Sequence, residues 1–221
     1  MPPGPDPTGP LPPRFDDAFR DQLEGLLRWR RDVRRFRRDA LAPGILDHLL
    51  DLACLAPSVG YSQPWRFVLV EDVRRRTAIR ANFVDANQDA LAAYHGERAQ
   101  LYARLKLSGL DDAPVQLAVC TDPTTMTGKG LGCRTMPQTL DQSTAMAVMT
   151  LWLAARAQGV GVGWVSILDP VAAIAALDVP PAWHLTAYLC IGYPEQEAST
   201  PELARLGWET RDPAGRDLVQ R

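Results

Sequence analysis

The sequence predicts an α+β fold, an α/β sandwich in which a small central mixed sheet is flanked by long helices. Three observations predict it. Long stretches with helical spacing of apolar residues alternate with short apolar runs of strand length. A chain of 221 residues with 46% hydrophobic content is long enough for one substantial core, and nothing in its composition requires a second domain. No segment repeats another.

The elements follow in order. The opening fourteen residues hold seven prolines and no apolar run, which predicts a disordered or extended arm over 1–14 and one domain over 15–221. Phe19, Leu23, Leu26 and Leu27 recur at helical spacing, so a helix over 15–29 runs into an arginine cluster. Pro43 and Gly44 begin a second helix, with Pro43 in its first turn and Pro57 beyond its end. R-F-V-L-V-E at 66–71 reads as a buried strand. From Asp72 to about Leu107 the pattern is helical and free of proline, and 113–121 is a second strand. Residues 122–139 are too rich in Gly, Thr and Pro for a regular element, and long ordered loops of this kind tend to be lids or binding segments. A long apolar helix follows over 138–158, with Met and Trp side chains expected in a core partly shared between two subunits. Strands are then expected from Val160 toward Asp169-Pro170 and over 184–194.

The formal net charge is -2, and no stretch approaches the roughly 20 apolar residues of a membrane helix. A soluble protein without membrane association is expected. Four cysteines stand far apart, none in C-x-x-C, and read as reduced core residues of a cytoplasmic protein. His48, His95 and His184 have no metal-ligand spacing, so no metal site is expected.

Against that near-neutral balance, seven of the eleven residues from Arg28 to Arg38 are arginine. Guanidinium groups match phosphate oxygens bidentately and stay charged at physiological pH, so an anion is the natural partner. A solvated basic helix face is the plainer reading of such a run. A second segment, A-P-S-V-G-Y-S-Q-P-W-R-F at 56–67, shifts the balance. Ser58, Gly60, Ser62 and Gln63 before Pro64-Trp65 describe a loop whose backbone can approach a polar ligand closely.

Other motifs fail on context. G-K-G-L-G at 128–132 lacks the P-loop pattern and no helix starts directly after it. G-V-G-V-G at 159–163 precedes a strand rather than following one, so it signals tight packing instead of dinucleotide binding. Neither Ser58 nor Ser166 sits in G-x-S-x-G.

R-R-D-V-R-R-F at 30–36 followed by A-P-S-V-G-Y-S-Q-P-W-R-F resembles the nitroreductase-type flavoprotein superfamily. That resemblance implies a nitroreductase-like fold, a homodimer and FMN at the subunit interface. The chain departs from the general pattern at several points: Asp32 stands where Ser is common, Ser166 where an acidic residue followed by Gly is common, and the tail lacks an Arg/Lys-rich ending. The last departure argues against a C-terminal phosphate contact. With T-M-P-Q-T at 135–139, L-W-L-A-A-R-A-Q-G-V-G-V-G-W-V-S-I at 151–167 and P-E-L-A-R-L-G-W-E at 201–209, these features resemble one branch, the 5,6-dimethylbenzimidazole synthases, over residues 27–209.

The resemblance implies oxygen-dependent fragmentation of reduced FMN, consumed as substrate, to 5,6-dimethylbenzimidazole and erythrose 4-phosphate. O2 is the co-substrate, and NAD(P)H acts through a separate flavin reductase. It implies flavin contacts at Arg30, Arg31, Asp32, Val33, Arg34, Ser58, Ser62, Gln63, Leu107 and Ser166, with the subunit supplying each left open. Asp32 is the candidate for proton transfer, an internal ion pair with arginine being its alternative, and Ser166 the candidate hydrogen-bonding group near the flavin N5. The 122–139 loop and the tail around Trp208 are the expected covers. An NAD(P)H-dependent nitroreductase or flavin reductase that retains FMN is the second reading. A non-enzymatic binder of phosphate or nucleic acid through the arginine cluster is the third, and it predicts salt-sensitive binding of polyanions and no yellow colour with FMN.

Overall fold

The computed structural model describes residues 12–212 and 215–221. The expected arm lies outside the described residues up to position 11, and Pro12, Pro13 and Arg14 are exposed and irregular. Helices α1 (Asp17–Trp29) and α2 (Ile45–Ala53) lead to strand β1 (Trp65–Leu69), then α3 (Val73–Ala92), α4 (Gly96–Arg104) and β2 (Val115–Thr121). Helix α5 (Thr139–Ala157), β3 (Gly161–Val165), α6 (Pro170–Leu177), β4 (His184–Gly192) and α7 (Glu202–Arg205) complete the order.

The strands form one sheet in the order β1-β2-β4-β3, every pair antiparallel. Its mixed character lies in an isolated parallel bridge of Asp32 with Val162 beside β3. Side chains alternate across the sheet, as the pleat demands. Leu117, Val119, Leu189 and Ile191 face α2 and α5, while Ala118, Tyr188 and Cys190 belong to the core shared with Ile79 of α3 and Ala173 of α6. The result is two helical layers around one sheet. Val148 and Leu151 of α5 are fully buried, and truncating a side chain such as Leu151 to Ala costs about 2–5 kcal/mol.

The structure corrects four local readings. Pro43 lies outside α2, whose N-cap is Gly44 in the left-handed region at φ +80°. The expected continuous helix of 72–107 breaks at Ala93–His95 into α3 and α4, with Gly96 at φ +58°. Residues Asp169-Pro170 start α6: the Asp169 carboxylate accepts the N–H of Val171 and Ala172, and Pro170 needs no donor in the first turn. Finally, Cys120 and Cys190 are core residues, but Cys54 is exposed and Cys133 half-buried.

Candidate active site

The arginine segment leaves α1 and runs beside β3. Val33 donates its N–H to the Val162 carbonyl at 3.0 Å, and Trp152 Nε1 of α5 donates to the Arg31 carbonyl at 3.1 Å. This close approach explains the glycines of β3: a Cβ on Gly163 would lie 2.0 Å from the Val33 carbonyl oxygen. The tight packing expected from G-V-G-V-G therefore has a definite partner, the segment that carries the charge.

Asp32 is held twice. Its Oδ1 accepts the Trp164 N–H at 2.8 Å, and its Oδ2 accepts Arg34 Nε at 2.9 Å. The ion pair weighed from sequence is thus formed, and the carboxylate still keeps 31% of its side-chain surface open while Arg34 keeps 12%. Arg34 Nη1 also donates to the Lys106 carbonyl at 3.2 Å, which sets the neighbouring half-buried Leu107 close to the segment.

The tail closes this region into a cleft of about 240 Å³ lined by Arg31, Asp32, Arg34, Arg35, Glu202 and Arg205. Arg31 donates to the Ala198 carbonyl at 3.1 Å, and Arg35 reaches Glu202 at 3.4 Å. Burial, then the neighbouring charges of Arg30, Arg156 and Arg211, push the Arg31 guanidinium below its ordinary pKa. Such crowding of like charge favours an anion as guest. Arg30 stacks over Trp152 with its guanidinium carbon 4.8 Å from the ring centroid. Among the described residues, neither the Arg30 nor the Arg205 guanidinium has a hydrogen-bond or ion-pair partner, although both backbone N–H groups are bonded, to Leu26 and Pro201. Arg205 was missed in the sequence because a single arginine in α7 does not resemble an Arg/Lys-rich ending; its signal appears only when α7 packs against the cleft.

Ser166 follows β3 directly. It is exposed and lines a second cleft of about 210 Å³ with Trp164, Leu168, Leu185 and Thr186. Asp32, through Trp164, and Ser166 therefore share the end of one strand.

The second motif is elsewhere. Ser58, Ser62 and Gln63 precede β1, at the sheet edge opposite β3, and three inter-strand spacings of about 4.8 Å put the two edges about 14 Å apart. Helix α5 measures the same separation: Ser143 accepts the Val59 N–H at 3.0 Å while Trp152, nine residues on, bonds Arg31. The loop is organised by Ser58, whose Oγ accepts the Gln63 N–H at 3.1 Å, with Gln63 at φ +46°. Ser62 is 2% exposed, and its Oγ has no hydrogen-bond partner. A buried hydroxyl in that state is ready for a ligand or partner group.

The two expected covers go to different places. The 122–139 loop packs onto the Ser58–Gln63 loop so closely that a Cβ on Gly60 would lie 2.6 Å from the Leu131 carbonyl oxygen. Trp208 packs edge-on against Tyr94 and Tyr102, at 5.4 and 5.9 Å between centroids, and Arg98 lies over its ring. Among the described residues no three or more His, Cys, Asp or Glu side chains cluster as metal ligands would. A larger cleft of about 600 Å³ lies beside α1 and is walled mainly by Phe19, Leu23, Leu26, Trp29 and Arg156, remote in character from the polar groups above.

Fold and site together define an α+β protein with an arginine-lined cleft along the edge of an antiparallel sheet. The model of the nitroreductase family matches residues 27–193, and the chain belongs to that family. It is 56% identical over 206 residues to a 5,6-dimethylbenzimidazole synthase of Rhodospirillum rubrum, covering 93% of this chain and 96% of that protein. A protein of the same name from Rhodobacter capsulatus is 50% identical over 199 residues, 90% of this chain and 96% of the other. Among solved structures, oxidised iodotyrosine deiodinase bound to FMN and 3-iodo-L-tyrosine superposes with a TM-score of 0.68 at 24% identity, covering 90% of this chain and 97% of that one, a likeness of fold.

Proposed function

We propose that this protein is a 5,6-dimethylbenzimidazole synthase, an oxidoreductase that uses O2 to fragment reduced FMN into 5,6-dimethylbenzimidazole, the lower ligand of cobalamin, and erythrose 4-phosphate. The observation that carries the reading is Asp32 inside the arginine segment, in a chain 56% identical to a protein of that name. A carboxylate there works against simple phosphate binding, yet Trp164 and Arg34 hold it in place with part of its surface open.

The donor set fits the flavin. Arg31, Arg34 and Arg205 of the cleft supply guanidinium groups for the phosphate, with Arg30 next to them in sequence and stacked over Trp152, and the unpartnered Ser62 hydroxyl, with Ser58 and Gln63, is suited to the ribityl chain or ring. Val33 and Leu107 provide apolar contact. Reduced FMN supplies the electrons that O2 accepts and the ring atoms of the product. Asp32 moves protons during the cleavage, and Ser166 donates or accepts a hydrogen bond beside the reacting part of the ring.

We infer a homodimer in which the Ser58–Gln63 loop of one subunit completes the arginine cleft of the other. Two observations support this: the motifs sit at opposite sheet edges, and α1 leaves Phe19, Leu23, Leu27 and Trp29 each more than 40% exposed. Residues 15–221 act as one domain, reduced FMN comes from a separate NAD(P)H-dependent flavin reductase, and the protein works in the cytoplasm. No helix among the described residues is long and apolar enough to cross a membrane.

The test is incubation with FMN, an independent flavin reductase, NADH and air, followed by chromatography and mass measurement. Loss of flavin with appearance of dimethylbenzimidazole is expected. Intact flavin with steady NADH oxidation would replace this reading with that of an ordinary nitroreductase or flavin reductase.

A further inference from the structure

Strand β4 is longer than its neighbour. β3 pairs with Tyr188–Gly192, so residues 184–187 of β4 have no strand beside them on that side among the described residues. The cleft that Ser166 lines opens along this stretch, and a wider one of about 500 Å³ continues it past Trp164, Leu185 and Thr186 to His184 and Asp141. Thr186 lines both.

Two independent features single out Thr186. The register of β2 with β4 passes from Val119↔Ala187 to Cys120↔Leu185, so Thr186 is the extra residue of a β-bulge. Bulges re-aim side chains and recur beside active sites. Behind Thr186 runs a file of buried hydroxyls. Its Oγ1 lies 2.7 Å from Thr121 Oγ1, Thr121 donates to Thr144 Oγ1 at 2.8 Å, and Thr144 donates to the Leu140 carbonyl at 3.3 Å. Thr121 and Thr144 are fully buried.

Each hydroxyl has one proton to give. Thr144 gives its proton to a carbonyl that can only accept, so Thr121 must give its own to Thr144, and Thr186 must give its own to Thr121. The half-buried Thr186, which lines the cleft, then has only the lone pairs of its oxygen left to offer a guest. Apolar isosteres would fill the same volume, so packing does not require this ordered file.

We propose that Thr186 is a specificity-determining hydrogen-bond acceptor for the flavin, polarised by Thr121 and Thr144 so that the cleft favours reduced over oxidised FMN. The chemistry is the difference between the two redox states: the reduced ring carries an N–H at N5 where the oxidised ring has a bare nitrogen. An acceptor that cannot turn donor rewards the first and repels the second. This rests on the flavin reading above.

The experiment measures dissociation constants for oxidised FMN in air and for dithionite-reduced FMN without oxygen, using the full-length protein and the variants T186V, T186S and T121V. T186V is expected to weaken reduced FMN about tenfold, the scale of one buried hydrogen bond, and to tighten oxidised FMN modestly by removing the opposed lone pairs. T186S keeps the hydroxyl and the ratio, which separates loss of the acceptor from loss of fold. T121V returns the Thr186 proton to the cleft and tightens oxidised FMN, narrowing the ratio about fivefold. Equal effects of T186V on both redox states, or a ratio unmoved by T121V, would overturn the proposal while the synthase reading stands. Absence of FMN binding by the unaltered protein in both states would overturn the two together.

Discussion

The backbone N–H of Trp164 donates to the carboxylate of Asp32 at 2.8 Å, across 132 positions of chain. This bond ties the arginine segment to the end of β3 and fixes a negative charge within a positive cleft. Trp164 also stands two residues before Ser166, so one contact sets two of the candidate reactive groups relative to each other.

Asp32→Asn keeps the shape and an oxygen for Trp164 but removes the charge that Arg34 answers. Dimethylbenzimidazole formation is expected to fall at least about 100-fold, the scale of general acid–base catalysis, with FMN affinity largely retained. Product quantification beside a flavin titration checks it; undiminished product would remove Asp32 from the proton-transfer role.

The Arg205 guanidinium lies in the same cleft without a hydrogen-bond or ion-pair partner among the described residues. Arg205→Gln should weaken FMN about tenfold or more, as loss of a charge-assisted phosphate contact does, and should leave riboflavin, which has no phosphate, unaffected. Equal loss for both ligands would mean that the residue acts by packing α7.

The loops at 58–63 and 122–139 interlock through glycines. Gly60 has φ +55° and no room for a Cβ, and a Cβ on Gly128 would sit 2.5 Å from the Gly60 carbonyl oxygen. Gly60→Ala is expected to cost about 1–3 kcal/mol. In a domain of this size each kcal/mol lowers Tm by roughly 2–4 °C. The double variant with Gly128→Ala should cost less than the sum, since both break one contact. Additive losses in thermal melts would argue against a shared interlock.

Acid should loosen the support of Arg34. Hydrogen bonds from Lys106, then Arg38, hold the Asp112 carboxyl below the ordinary carboxylate range, and the Lys106 carbonyl in turn receives Arg34. A folded pKa below the unfolded value of about 3.9 means that this stabilisation is complete above that pH and is lost as pH falls through the folded value. Urea midpoints at pH 6 and pH 3 should therefore differ less in Asp112→Asn than in the unaltered chain. An identical acid shift in both proteins would locate the sensitivity elsewhere.

Much of this molecule is legible in the sequence because the relevant physics is local. Helical spacing in 15–29 and 138–158, apolar runs at 66–71, 113–121 and 184–194, and the loop composition of 122–139 each correspond to an observed element, since periodic burial leaves a periodic sequence. The charge of the arginine segment and the close-packing glycines of β3 are likewise visible as residues. Local signals also failed where they were weak: the Asp169-Pro170 start of α6 passed as the end of a strand, and Gly96 did not announce the break between α3 and α4.

Tertiary structure alone decided the relations among these pieces. Strand order placed the two motifs at opposite edges of the sheet, because antiparallel pairing puts β2 and β4 between β1 and β3. Chain return through α7 carried Arg205 to the arginine cleft, and a bulge of one residue falls at Thr186 in the separate cleft that Ser166 lines. Composition and spacing determine which groups a chain owns and which segments fold locally; the direction of each buried hydrogen bond and the meeting of groups more than a hundred residues apart are set by long-range packing, which no local window contains.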